Sequence, residues 1–164
     1  DGGRNFYQKQ PKEAFPVCDF GYIDTANKTE VRGEGGKTGI FYLALGDAGL
    51  YKLCYDTKTE EIHVKRLTDT GDACYRMGLG VIGEDRDYLT EEKAIYFCGR
   101  LEGEYGFYRT FDEGKSYERL NQDNQMYGEI NSIDGDKRKF GRFFLATGSR
   151  GVLYGEMKRQ SRKI

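Results

Sequence analysis

A chain of 164 residues that is 37% hydrophobic and 32% charged is long enough for one domain with a real core and has the balance of a folded globular protein. Its formal net charge of −1 gives no field to attract a polyanion, and no run approaches the roughly 18 apolar residues of a transmembrane helix, so neither nucleic acid nor a membrane is an expected partner. The 23 glycines against 2 prolines, with 13 Tyr, 10 Phe and no Trp, point to many short strands joined by tight turns.

The first residues, Asp1-Gly2-Gly3-Arg4-Asn5-Phe6, lack the charged-then-apolar layout of a signal peptide. From their Asp onward they fit the Asp-box pattern Ser/Thr-x-Asp-x-Gly-x-Ser/Thr-aromatic, with Asn5 at the hydroxyl position and Phe6 as the aromatic residue. A glycine-containing strand follows at Phe20-Gly21-Tyr22-Ile23, then a charged, glycine-rich loop from Thr25 to Lys37, then the apolar run Gly39 to Leu45. Gly49-Leu50-Tyr51 leads to a weak copy of the box at Cys54-Tyr55-Asp56, and its hairpin continues through Ile62, Val64 and Leu67. His63, the only histidine, alternates away from the core and reads as a surface residue.

The series then repeats. Leu79-Gly80-Val81-Ile82 is the second glycine-containing strand, Glu84 to Glu92 an acidic loop, Ala94 to Cys98 the second apolar run, and Gly106-Phe107-Tyr108 the strand before the box. Thr110-Phe111-Asp112-Glu113-Gly114-Lys115-Ser116-Tyr117 satisfies the box at every fixed position. Its Asp suits backbone N–H bonding across the turn, its Gly a positive φ, and its aromatic residue a fold back into the blade core. Asp112 and Asp1 are therefore read as structural. A third round runs through Tyr127-Gly128-Glu129-Ile130, Arg142 to Thr147 and Gly151-Val152-Leu153-Tyr154, before a basic tail with Lys158, Arg159, Arg162 and Lys163.

From Asp1 to Asp56 is 55 positions and from Asp56 to Asp112 is 56, a period that suits one four-stranded blade. The fold class expected is all-β, a β-propeller segment of about three four-stranded antiparallel blades with Asp-box hairpins. The divisions expected are a blade end over 1–10, blades over 11–67 and 68–120, closing blade strands over 121–157 and the tail over 158–164. The nearly continuous apolar runs imply strands covered on both faces, and the recurring glycines imply innermost strands that approach closely at the axis. Since propellers close with about 4–8 blades, the remaining blades are expected from the same parent chain or another chain.

Cys18, Cys54, Cys74 and Cys98 form no C-x-x-C pair, so no zinc site is expected; buried thiols and disulfides both stay open. The acidic loop lacks EF-hand spacing, and no metal or cofactor is expected.

From Gly106 to Glu156 the chain resembles the C-terminal end of glycoside hydrolase family 74, the xyloglucan-specific endoglucanases. The resemblance is carried by Gly106-Phe107-Tyr108-Arg109, the complete box, Glu118-Arg119-Leu120-Asn121, Tyr127-Gly128, Ile133-Asp134-Gly135-Asp136, Gly141-Arg142 and Thr147-Gly148-Ser149-Arg150-Gly151-Val152-Leu153-Tyr154-Gly155. Over residues 1–105 it lies mainly in the blade layout. The resemblance implies two seven-bladed propellers flanking a glucan cleft and a secreted protein. It implies inverting hydrolysis of the β-1,4-glucan of plant cell-wall xyloglucan or its oligosaccharides by two aspartates upstream of this stretch. No catalytic residue is assigned within the chain.

Sugar-binding candidates are Asn124, Gln125 and Tyr127, in the loop Asn121 to Tyr127, and Arg150. Amide groups both donate to and accept from hydroxyls, and a Tyr face can lie against a pyranose. The family commonly carries a histidine near Gln125, which this chain lacks. The loop also reads as an ordinary polar inter-blade connection, and Arg150 as a turn residue paired with a neighbouring acid. Two other functions compete: a non-catalytic Asp-box propeller that binds glycan or protein, and a sialidase-like enzyme, disfavoured because the arginines are scattered.

Overall fold

The computed structural model describes residues 29–32, 38–56, 58–86 and 92–157. Among them there is no helix, hence none long and apolar enough to cross a membrane. The described residues form eleven strands in three antiparallel sheets. The first sheet contains β1 (Thr29–Arg32), β2 (Thr38–Ala44), β3 (Leu50–Asp56) and β4 (Glu61–Arg66). The second contains β5 (Ala73–Gly80), β6 (Ala94–Leu101), β7 (Glu104–Thr110) and β8 (Glu118–Arg119). The third contains β9 (Ile130–Gly135), β10 (Phe143–Thr147) and β11 (Val152–Gly155), one strand fewer than its neighbours. Each sheet is a meander whose spatial order follows the chain.

The middle sheet is covered on both faces, which explains the uninterrupted apolar run in β6. Ile95 and Phe97 point to a core shared with the first sheet, among Ile40, Tyr42, Leu50, Leu67, Met77 and Leu79. The alternate residues Ala94, Tyr96 and Cys98 point to a second core, shared with Ile130, Ile133, Phe143 and Leu145 of the third sheet. Period-two alternation thus feeds two interfaces from one strand. The run in β10 differs from expectation: Phe143 and Leu145 are buried, but Phe144 between them is exposed, so only one face is covered. Val152 and Tyr154 of β11 are also exposed, at 70% and 69%.

Where the second and third sheets meet, β5 approaches β9 so closely that a Cβ built on Gly135 would lie 2.6 Å from Gly80 Cα and 2.6 Å from the Tyr96 ring. Only glycine permits this approach. Its cost in side-chain packing is offset by a backbone bond from Val81 N–H to Asp136 O at 3.0 Å. Gly80 therefore makes the close approach expected of it, although β5 begins at Ala73 and ends at Gly80, short of Val81 and Ile82. Gly128 does not have that role. Tyr127 and Gly128 have φ of 56° and 77°, left-handed values incompatible with a strand, and β9 starts only at Ile130. Gly135 is the counterpart of Gly80 instead. The strand expected at Phe20 to Ile23 lies outside the described residues, as do Asp1 to Phe6, Cys18 and the basic tail.

The hairpin between β7 and β8 is closed by the segment Thr110 to Tyr117. Asp112 Oδ1 accepts from Ser116 N–H at 2.9 Å and Asp112 Oδ2 from Ser116 Oγ at 2.6 Å. Thr110 Oγ1 donates to Asp112 Oδ1 at 2.8 Å and accepts from Gly114 N–H at 3.0 Å. Gly114 has φ of 84°, as the turn requires. The Ser116 hydroxyl and N–H together hold the Asp112 carboxyl down at about 2.

This hairpin also reaches back to the preceding sheet. The Tyr117 hydroxyl donates to Leu67 O at 2.7 Å, and its ring meets Phe97 edge-on at 5.7 Å. Glu113 accepts from the buried Tyr42 hydroxyl at 3.1 Å and pairs with Lys52. Tyr42 and Lys52 face each other across β2 and β3, so one turn of the second sheet clasps two strands of the first. In the weaker copy, Asp56 does the same local work, accepting from Lys58 N–H at 2.7 Å.

Candidate functional site

Because the meanders run in the same sense, the β2–β3, β6–β7 and β10–β11 turns and the Asn121 to Glu129 loop lie at one end of the sheets. Backbone bonds tie that end together. Gly46 exchanges N–H to O bonds with Cys74 at 2.9 and 2.8 Å, and Gly148 N–H donates to Glu129 O at 2.9 Å. The Gly148 bond brings the turn that carries Arg150 beside the loop that carries Asn124, Gln125 and Tyr127.

The loop is a built structure. Asn121 is buried, and its Oδ1 accepts from Phe107 N–H at 2.8 Å, while its Nδ2 donates to Gln122 O at 3.2 Å. Gln125 Oε1 accepts from Gln122 N–H at 3.0 Å, so its carbonyl end serves the turn. Tyr127 stacks on Phe107 with centroids 6.3 Å apart and planes within 6°, which commits one face of its ring. Asn124 is exposed. Arg150 is exposed too; its N–H donates to Thr147 Oγ1 at 2.9 Å, and its guanidinium has no acid partner among the described residues. Asn124 and Arg150 are thus the candidates with side chains left for a ligand.

At the same end, sequence reasoning missed Tyr75 and Tyr105. Their rings are 6.3 Å apart and tilted by 33°, and Tyr105 meets Phe107 edge-on at 6.5 Å. Tyr75, Tyr105, Phe107 and Tyr127 therefore form one aromatic row from the inner strand outward. The Tyr75 hydroxyl donates to Asp47 Oδ1 at 3.1 Å, and Arg100 Nη2 lies 3.6 Å from the same oxygen. Burial, with Cys98 alongside, pushes the Tyr105 phenol up to about 12.

Cys74 and Cys98 are free thiols in different cores, and burial pushes the Cys98 thiol up to about 11. The His63 imidazole is half exposed and lies 3.7 Å from Glu61 Oε2. Among the described residues, no group of three or more His, Cys, Asp or Glu is arranged to hold a metal ion.

A row of antiparallel meanders packed face to face, with glycines where the inner strands touch, makes this chain a β-propeller segment. No family model matches the chain. It is 29% identical over 163 residues to the xyloglucanase Xgh74A of Acetivibrio thermocellus, covering 94% of this chain and 18% of that protein. It is 29% identical to the oligoxyloglucan-reducing end-specific xyloglucanase of Emericella nidulans, covering 96% of this chain and 18% of the relative. Among solved structures, the family 74 xyloglucanase of Xanthomonas campestris matches 82% of this chain with a TM-score of 0.59 and 26% identity, over 17% of its own length. The chain is thus similar, in sequence over nearly all of its length and in fold, to a segment of the glycoside hydrolase family 74 xyloglucanases. The likeness is not confined to the last third, and the chain spans about a fifth of the length of the curated relatives it matches.

Proposed function

We propose that this chain is the C-terminal propeller segment of a secreted endo-β-1,4-glucanase that hydrolyses xyloglucan with inversion, its catalytic aspartates lying outside the chain. The observation that carries this reading is the match to xyloglucanases over 94% of the chain, joined to the matching fold. The Thr110 to Tyr117 turn is read as an Asp box with a scaffold role, and the missing blades as coming from the same parent chain or another. Asn124 and Arg150 are read as side chains of one wall of the glucan cleft, with Gln125 and Tyr127 in the loop that shapes it.

Inverting hydrolysis needs two carboxyl groups roughly 6.5–9.5 Å apart, one of them kept protonated near neutral pH. Among the described residues, the carboxyl groups with shifted acidity do not offer that protonated partner. Asp56, Asp112 and Glu156 are held below the usual carboxylate range by the Lys58 N–H, the Ser116 hydroxyl and the Lys139 ammonium respectively, and Glu113, against its burial, is lowered by Lys52. Groups so held stay ionised, the opposite of what a general acid requires.

The test is hydrolysis of xyloglucan by the intact polypeptide, with the anomer released first read by proton NMR. The α-anomer with a rapid fall in viscosity is expected, and none from the 164-residue chain alone. Turnover by the chain alone would overturn the placement of the aspartates. Glucan binding without hydrolysis by the intact polypeptide would establish the non-catalytic module instead.

A further inference from the structure

We propose that Tyr75 and Tyr105, with Asp47 and Arg100 beside them, form a stacking position for one neutral pyranose ring of a β-linked glucan, separate from the Asn121 to Tyr127 loop. The proposal rests on the glucan reading above for the choice of sugar. Its geometry is independent of that choice.

The first observation is a β-bulge. The pairing of β5 with β6 shifts register between Cys74 and Arg76, leaving Tyr75 as the extra residue. Cys74 and Met77 both point into the core shared with the first sheet. The two residues between them turn toward the third sheet: Tyr75 packs at the edge of the second core, and Arg76 Nε donates to Asn131 O at 3.3 Å. A regular strand would have sent only one of them that way. Bulges are over-represented next to functional sites because they re-aim a side chain, and this one sets Tyr75 against Tyr105.

The second observation is how the two tyrosines are held. Tyr42, Tyr96 and Tyr108 are buried in the cores, whereas Tyr105 is 37% exposed. The Tyr75 phenol is engaged, donating to Asp47 Oδ1 at 3.1 Å. Behind them, Phe107 braces the Tyr105 ring, and Arg119 Nη2 donates to Tyr105 O at 3.1 Å. With the Tyr75 hydroxyl tied to Asp47 and Tyr105 part-exposed, ring surface is left for a ligand. The two ring centroids lie 6.3 Å apart, a span that suits one sugar ring. A β-linked glucosyl unit, with all its hydroxyls equatorial, offers a flat C–H face to such a patch.

The third observation is the polar flank. The Asp47 and Arg100 side chains are 62% and 43% exposed. Beyond their contact with each other and with Tyr75, the second carboxylate oxygen and the remaining guanidinium N–H groups make no bond among the described residues. A carboxylate that accepts and a guanidinium that donates can together hold adjacent hydroxyls of a ring. Their charges cancel, so the flank favours a neutral sugar over a uronic or sialic acid.

The experiment is calorimetric titration of the intact polypeptide with cellotetraose, with maltotetraose as the control sugar. Tyr105→Ala is expected to raise the Kd for cellotetraose about tenfold, and Tyr105→Phe, which keeps the ring face, to change it less than about twofold. Arg100→Gln, a surface change that leaves the cores intact, is expected to raise it about threefold. Should Tyr105→Ala fail to fold, Arg100→Gln decides. An unchanged Kd in Arg100→Gln and in any folded Tyr105→Ala overturns the proposal, as does maltotetraose binding that is equally strong and equally sensitive. Cellotetraose binding that responds as expected, in a polypeptide that does not cleave xyloglucan, would uphold this position while overturning the enzymatic reading.

Discussion

Replacing Gly135 by Ala tests whether the glycines of the inner strands are there for close approach. The added methyl carbon would sit 2.6 Å from Gly80 Cα and 2.6 Å from two carbons of the Tyr96 ring. Carbon atoms are comfortable at about 3.5–4.0 Å, so one partner must yield by about 1 Å. Neither yields easily. Gly80 is backbone in a paired strand, and Tyr96 is wholly buried and stacked on Phe143 at 5.7 Å. Overpacking costs about 1–3 kcal/mol, and the backbone clash sets this case near the upper end, about 3 kcal/mol. Alanine recovers about 0.4–1 kcal/mol by restricting the unfolded chain, leaving a net loss of about 2 kcal/mol. With a urea m-value of about 2 kcal/mol/M, the unfolding midpoint falls by about 1 M. The control is Gly148→Ala, whose Cβ would meet its nearest neighbour, Glu129 Cβ, at an ordinary 3.5 Å. Equal midpoints for the two variants would refute the close-approach account.

Acid titration should find Asp112 with a folded-state value of about 2 against 3.8 for a free aspartate. A depressed value means that its contribution to stability is complete above about pH 4 and is lost as the pH falls toward 2. Asp112→Asn should flatten that limb of the acid-denaturation curve, and an unchanged limb would count against the turn bonding. Asn121→Ala removes the acceptor of a buried Phe107 N–H and should cost about 1–3 kcal/mol in urea unfolding. Asn124→Ala in the same loop should stay within about 0.5 kcal/mol, because its side chain is exposed.

The strands were legible in the sequence where burial is two-sided, as in β6, because a continuous apolar run there has one explanation. They were less legible where the pattern is shared by unlike structures. Tyr-Gly at residues 127–128 reads like an inner strand, yet both residues have positive φ, a property set by the loop that the buried Asn121 anchors. The glycine that matters, Gly135, is recognisable only once β9 is laid against β5. Of the candidate site, the polar loop and Arg150 were legible as residue types suited to sugar. Tyr75 was not, because period-two alternation from Cys74 to Met77 conceals a bulge. The partners of Glu113 were equally hidden, since Tyr42 and Lys52 are 71 and 61 positions away.

The clasp made by Glu113 and Tyr117 bears on how such a chain can be cut and recombined. A sheet and its own closing turn are contiguous in sequence, but the turn is fitted to the sheet before it, through Leu67, Tyr42 and Lys52. A chimera joined in the linker between Arg66 and Ala73 would preserve every strand pairing within each sheet and still separate the turn from its seat. The first sheet and the turn from Thr110 to Tyr117 thus belong together in any exchange. A junction placed between Tyr117 and Glu118 should keep this clasp, and one placed between Arg66 and Ala73 should lose it.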